Sequence, residues 1–97
     1  MLNSAQKRQL KGLASTLKVK YQLGKNEITN TAINMFENAL VAHELIKIDV
    51  MKGVETSKME LALDLSSKLN AEIVQVIGNV IVLYRRNPKN PKIQLVK

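Results

Sequence analysis

The chain has 97 residues, which suffices for one domain, residues 1–97, with a single hydrophobic core. It has no cysteine, which excludes disulfide scaffolds, thiolate metal sites and cysteine nucleophiles. No segment approaches the roughly 20 apolar residues that cross a bilayer, and the N-terminus lacks the apolar core of a signal peptide. We therefore expect a cytoplasmic protein without a membrane partner.

The net charge of +7 is distributed unevenly along the chain. Residues 1–25 carry six basic side chains and residues 85–97 carry five, and neither segment contains an acid. All eight acids lie between residues 26 and 84, where there are only four lysines. If the two ends meet in space, this asymmetry indicates a polyanionic partner. The alternative is that the charged ends only maintain solubility.

The first predicted element is a helix over residues 3–17. Its apolar stripe has helical spacing, and Asn3 with Gln6 is typical of a capping box. The stripe comprises Leu10, Leu13, Ala14 and Leu17. Three lysines flank it within about 40° of one another, because successive helical residues are about 100° apart. They are Lys7, Lys11 and Lys18, the last only if the helix extends that far.

The remaining elements alternate between strands and helices. A strand at 19–23 is followed by a helix from Thr29 to His43, a strand at 45–51 and a helix at 56–69 that begins near Ser57. For this last helix, the predicted buried face comprises Met59, Ala62, Leu63, Ser66 and Leu69. Two β-branched runs, 73–77 and 80–84, flank Gly78-Asn79 and predict a hairpin. The order αβαβαββ predicts an α/β (α+β) fold in which three helices pack on a small mixed four-stranded sheet, with a core at about 3–86 and a basic tail at 87–97.

The sequence offers no catalytic, metal or cofactor site. The single histidine, His43, ends a predicted helix, where a structural role is expected, and no nucleophile, base and orienting group can be brought together. A stacking surface needs exposed aromatic residues, but Tyr21 and Phe36 lie on apolar faces. Tyr84, beside Arg85-Arg86, could stack on a base, but we expect it to pack in the core or at its rim. We expect contacts with phosphates rather than with bases.

One loop has a mechanism for binding an anion. Gly24, Lys25 and Asn26 lie between a predicted strand and a predicted helix. Glycine permits close approach of a phosphate, lysine supplies charge, and the helix N-terminus presents free N–H groups. A glycine after a strand can equally be a simple turn.

Five stretches together resemble a known family over about residues 5–86. They are Lys11–Ala14, Leu23–Asn26, His43–Lys47, Val74–Gly78 and Val82–Arg85. In this order they resemble the YhbY family, the bacterial single-domain form of the chloroplast RNA splicing and ribosome maturation (CRM) domain. The resemblance implies a fold similar to the C-terminal domain of translation initiation factor three, and binding of ribosomal RNA in precursors of the large subunit. The family's loop is G-x-x-G, and close approach of a phosphate is expected there, but the fourth position here is Glu27. Either this loop binds RNA less tightly, or the surrounding lysines supply most of the affinity.

We therefore expect a monomeric RNA-binding ribosome-assembly factor that has no enzymatic activity and no small-molecule substrate. The expected RNA contacts are Lys7, Arg8, Lys11, Lys18, Lys20, Gly24, Lys25, Asn26, Arg85 and Arg86. The alternative is a protein–protein adaptor that docks a ribosomal protein or an assembly enzyme. Salt dependence separates the two, because only phosphate binding weakens steeply with ionic strength.

Overall fold

The computed structural model describes residues 2–17, 21–24 and 28–96. Within them the elements are α1 (Ser4–Thr16), β1 (Tyr21–Leu23), α2 (Asn30–His43), β2 (Leu45–Val50), α3 (Lys58–Leu69), β3 (Glu72–Ile77) and β4 (Val80–Tyr84). The predicted order and the mixed four-stranded sheet are confirmed. Two residues of the predicted first strand, Val19 and Lys20, lie outside the described residues. None of the helices in the described segments is long and apolar enough to cross a membrane.

The helices begin where the sequence predicts, because side-chain oxygens accept the free N–H groups of each first turn. Asn3 and Gln6 form a complete capping box, in which the N–H of Gln6 donates to Asn3 Oδ1 at 2.8 Å and the N–H of Asn3 donates to Gln6 Oε1 at 3.0 Å. Thr29 and Ser57 cap α2 and α3 with their hydroxyls. Local capping therefore sets the start of all three described helices.

The strand order in the sheet is β1-β2-β4-β3. β1 is parallel to β2, whereas β4 is antiparallel to both of its neighbours, β2 and β3. β2 and β3 thus run in the same direction, as expected for strands joined by a crossover helix, but β4 lies between them. Gly78, with φ of +55°, forms the tight turn that folds β4 back onto β3.

Each face of the sheet has its own hydrophobic cluster. α2 and α3 cover one face, where Phe36 and Leu65 pack against alternate residues of β2 and β4. α1 packs on the other face through Leu10 and Ala14, in a cluster with Leu45, Val74, Val82 and Tyr84. α1 carries Lys7, Arg8 and Lys11, so these basic residues of the N-terminal segment lie on the side of that second face.

The predicted buried face of α3 is partly wrong. Ala62 and Leu69 are buried as expected, but Met59 and Leu63 are 53% and 56% exposed. Leu61 and Leu65 are buried in their place. Leucine or methionine occupies positions on several sides of this helix, so spacing alone does not identify the buried face. Packing against α2 and the sheet determines which face is buried.

Candidate nucleic-acid interface

α1 exposes Lys7, Arg8 and Lys11. Leu10 and Ala14, which are almost fully buried, fix the rotation of the helix on the sheet. With about 100° per residue, Lys7 and Lys11 lie on one flank of α1 and Arg8 points further outward. The other predicted lysine contacts, Lys18, Lys20 and Lys25, and the predicted contact Asn26 lie outside the described residues.

The lysine flank of α1 borders an open depression of about 480 Å³. Lys11 and Ser15 of α1 line one side of it, and Lys47 and Gln75 rise from the sheet. Ile77, Val80 and Val82 contribute apolar surface. Lys47 was not among the predicted contacts. The alternation of β2 already predicts that Lys47 lies on the sheet face opposite the buried Ile46 and Ile48. Which part of the Lys47 face α1 leaves uncovered depends on tertiary packing.

Residues 85–96, here called the C-terminal segment, have no helix or strand, and residues 93–96 lie against α1. The Gln9 side chain donates to the carbonyl of Gln94 at 2.8 Å and accepts from the N–H of Val96 at 2.8 Å. Gln6 donates to the Val96 carbonyl at 2.9 Å. Ile93 and Leu95 pack onto the cluster beneath α1. The two acid-free parts of the sequence therefore meet in space.

Glu44 holds the start of this segment from the other side. It is fully buried, and it adopts a positive φ of 64° as the C-terminal cap of α2. Its carboxylate accepts backbone N–H groups of Asn87 at 2.6 Å and of Lys92 and Ile93 at 2.7 Å each. A buried carboxylate is costly unless hydrogen-bonded, and these three donors stabilise it. Glu44 thereby fixes the loop that carries Lys89 and Lys92.

The two predicted arginine contacts have different environments. Arg86 is exposed and lines a pocket with Gln6 and residues 91–96, beside the N-terminal part of α1. Arg85 points to the other face of the sheet, where its guanidinium donates to both carboxylate oxygens of Glu37. This hydrogen-bonded pair lowers the pKa of Glu37 and raises the pKa of Arg85, although partial burial opposes both shifts. Any phosphate contact by Arg85 competes with Glu37.

Gly24 directly follows β1 and is half-buried. The Sδ of Met51 would lie 3.6 Å from a Cβ added at Gly24, an ordinary contact distance. Packing against the described residues therefore does not require glycine here. The rest of the predicted loop, Lys25, Asn26 and Glu27, is outside the described residues.

The aromatic residues offer no stacking surface. Tyr84 is 3% exposed and belongs to the cluster beneath α1, as predicted. Burial is the main cause that raises its pKa above the ordinary value, with the Glu44 charge adding to it and Arg86 opposing it. Phe36 is buried, and the half-buried Tyr21 contacts it edge-to-face with ring centroids 6.3 Å apart. No group of three acidic or histidine side chains within 2–17, 21–24 and 28–96 is arranged to hold a metal ion.

Fold and surface together define a small α+β domain whose basic helix lies on an incompletely covered sheet. Residues 2–85 match the family model described as the CRS1 / YhbY (CRM) domain. The chain belongs to this family, which confirms the resemblance seen in the sequence.

The relatives are similar over nearly their whole length. The "Probable RNA-binding protein YqeI" of Bacillus subtilis is 38% identical over 98% of this chain and 99% of its own. An RNA-binding protein of Haemophilus influenzae is 39% identical over 97% of this chain and 94% of its own. The solution structure of the hypothetical protein SAV1595 from Staphylococcus aureus, proposed to bind RNA, is 40% identical and superposes with a TM-score of 0.83, covering 99% of this chain and 100% of that one.

Proposed function

We propose that this protein binds structured RNA, specifically ribosomal RNA in precursors of the large ribosomal subunit, and serves there as an assembly factor without catalytic turnover. Family membership and the names of the relatives support RNA binding. The ribosomal target follows from the family resemblance. In this proposal the chain acts as one domain, in the cytoplasm, as a monomer, and needs neither a cofactor nor a small-molecule substrate.

The observation that carries the proposal is the docking of the C-terminal segment along α1. Gln6 and Gln9 bind its backbone, and Glu44 binds its beginning. As a result, Arg86 and Lys92 lie close to the helix that carries the N-terminal basic residues. Such a concentration of positive charge without acids in either sequence segment suits a phosphate backbone.

The proposed contact surface comprises Lys7, Arg8, Lys11 and Arg86, together with the loop that begins at Gly24 and includes Lys25 and Asn26. Lys18 and Lys20 join it because they connect α1 to that strand in sequence. With no exposed aromatic ring, the protein reads the shape and phosphates of RNA rather than its bases. Glu27 in the loop reduces the affinity of that one subsite, so the surrounding lysines supply most of the binding energy.

The test is a salt titration of binding to large-subunit ribosomal RNA fragments. The variant is Lys7→Ala/Lys11→Ala/Lys25→Ala, and the control Lys52→Ala/Lys58→Ala/Lys68→Ala removes the same charge elsewhere. Each lost phosphate contact lowers the log–log salt slope by about 0.7 to 0.9, so we expect the first variant to flatten the slope by about 2 to 3 and the control to leave it nearly unchanged. Equal effects of both variants would contradict a defined surface.

A protein–protein adaptor is the alternative. The observation in its favour is an apolar cleft of about 540 Å³ between α1 and the end of α2, lined by Leu13, Leu17 and Ala42 among others. If the wild-type protein does not bind RNA fragments at low salt, this alternative replaces the proposal.

A further inference from the structure

A β-bulge changes the polarity of the sheet face beside α1. The register of β3 against β4 passes from Ile73 opposite Leu83 directly to Gln75 opposite Val82, so Val74 is an extra residue. Val74 packs beneath α1, and Gln75 lines the depression next to it. Both therefore lie on the same face, whereas strict alternation would turn Gln75 toward α2 and α3. The bulge thus places an amide where an unbroken strand would not.

Lys47 and Gln75 lie on either side of Val82. Lys47 of β2 and Gln75 of β3 both pair with Val82 of β4, which places the three residues in one row across the sheet. With about 4.8 Å between strands, the outer two are about 10 Å apart. Lys11 of α1 lines the same depression. Neither lysine has an ion pair among the described residues, so both ammonium groups are available to an anion.

An acidic residue, Asp49, lies near the depression. It follows Lys47 on the same face of β2, in the next row, where it pairs with Val80. It does not line the depression. A carboxylate about 7 Å further along the strand repels phosphate, so it favours an anion at Lys47 over one in its own row.

Gly12 borders the depression. It lies inside α1, where glycine is less favourable than alanine because it loses more conformational freedom on folding. A Cβ added there would have no atom of another described element within 4 Å. Packing against the described residues therefore does not require this glycine. Bare helix backbone permits close approach of a ligand.

We propose that one sugar–phosphate strand of the bound RNA binds in the depression. Lys11 and Lys47 bind its phosphates, and Gln75 binds a ribose hydroxyl. The strand is in close contact with Gly12. This inference rests on the proposed function and extends its contact surface from α1 onto the sheet. It also gives the β-bulge a role, because the bulge positions the uncharged group suited to a hydroxyl.

The charge test uses Lys47→Met, with Lys68→Met on α3 as the control of equal charge. We expect Lys47→Met to weaken binding of the ribosomal RNA fragment about three- to tenfold and to lower its salt slope by about 0.7 to 0.9, while the control changes neither by much. Asp49→Asn removes the nearby repulsion and is expected to strengthen binding.

If wild type binds but Lys47→Met and Lys68→Met behave alike, the RNA strand does not bind in the depression, although the proposed function stands. If wild type does not bind, both proposals fall.

Gln75→Ala tests the ribose contact with the RNA fragment and with the same fragment carrying single 2′-deoxy substitutions. If Gln75 binds one 2′-hydroxyl, we expect the deoxy substitution at that position to weaken binding of wild type but not of Gln75→Ala. Deoxy substitutions that affect wild type and Gln75→Ala equally at every position would overturn the assignment of Gln75.

Gly12→Ala tests whether this glycine serves RNA binding and not folding. Alanine favours the helix, so we expect the melting temperature to rise by about 2–8 °C. The added methyl group obstructs close approach of the strand, so we expect RNA affinity to fall about threefold or more. A raised melting temperature with unchanged affinity would show that no ligand approaches Gly12 and would overturn this part of the proposal.

Discussion

Arg85 and Glu37 form a bidentate ion pair, with Nη1–Oε1 and Nη2–Oε2 distances of 2.7 and 2.6 Å. The same guanidinium donates to the carbonyl of Leu69 at 2.9 Å. These contacts join the end of β4 to the middle of α2 and to the last residue of α3. One arginine of an adjacent pair thus connects three elements, whereas Arg86 faces solvent.

The ion pair predicts a pH dependence of stability. Because Arg85 lowers the pKa of Glu37, the folded chain holds this carboxylate ionised more strongly than the unfolded chain does. The stabilisation is complete above the ordinary pKa of 4.5 and is lost as the pH falls through the lower folded value. We expect Glu37→Gln to melt below wild type at pH 7, with a difference that shrinks as the pH falls below the ordinary pKa of 4.5, as measured by circular dichroism.

The control for this prediction is Asp64→Asn, which removes an exposed pair between Asp64 and Lys68 within α3. Exposed i, i+4 pairs contribute only about 0.3–0.5 kcal/mol, so we expect a small effect at every pH. A Glu37→Gln deficit that stays constant from pH 7 to pH 3 would contradict a role for the charged pair.

We expect Arg85 to contribute mainly to stability and Arg86 mainly to RNA binding. We expect Arg85→Ala to lower the melting temperature and to change RNA affinity less than Arg86→Ala does, because Glu37 already occupies the Arg85 guanidinium. Arg86→Ala is expected to weaken RNA binding about three- to tenfold without a change in melting temperature. Thermal unfolding and an RNA titration of both variants provide the measurement. The reverse assignment would place the phosphate contact on the α2 and α3 side of the sheet.

Local patterns predicted much of the fold. Asn3, Thr29 and Ser57 mark the helix starts because capping depends on residues within one turn. The hairpin at Gly78 depends on a two-residue turn. The insertion of β4 between β2 and β3 was not predictable in this way, since strand order is decided by which apolar faces pack together across the whole domain.

The residues of the candidate interface likewise divide into those that local patterns predict and those that only the tertiary structure reveals. The exposed lysines of α1 follow from helical spacing, and the structure places them as that spacing implies. Lys47 and Gln75 required the tertiary structure, because alternation does not reveal which part of a face a helix covers, and the bulge at Val74 alters the alternation itself. The role of Glu44 was equally hidden, because its three backbone donors lie 43 to 49 residues away in sequence.

Glu44 gives the last prediction. Its Oε2 accepts from Asn87, and its Oε1 accepts from Lys92 and Ile93. In Glu44→Gln, one oxygen becomes an NH2 group that faces backbone N–H donors, so at least one hydrogen bond is lost in a buried site. We expect the free energy of unfolding to fall by about 2–4 kcal/mol, and amide exchange at residues 87, 92 and 93 to accelerate. The exposed Glu55→Gln, which removes the same charge, serves as the control. RNA affinity should fall as well, because Lys92 is no longer held beside α1. Unchanged exchange at these three amides would show that the hydrogen bonds of Glu44 do not fix the C-terminal segment.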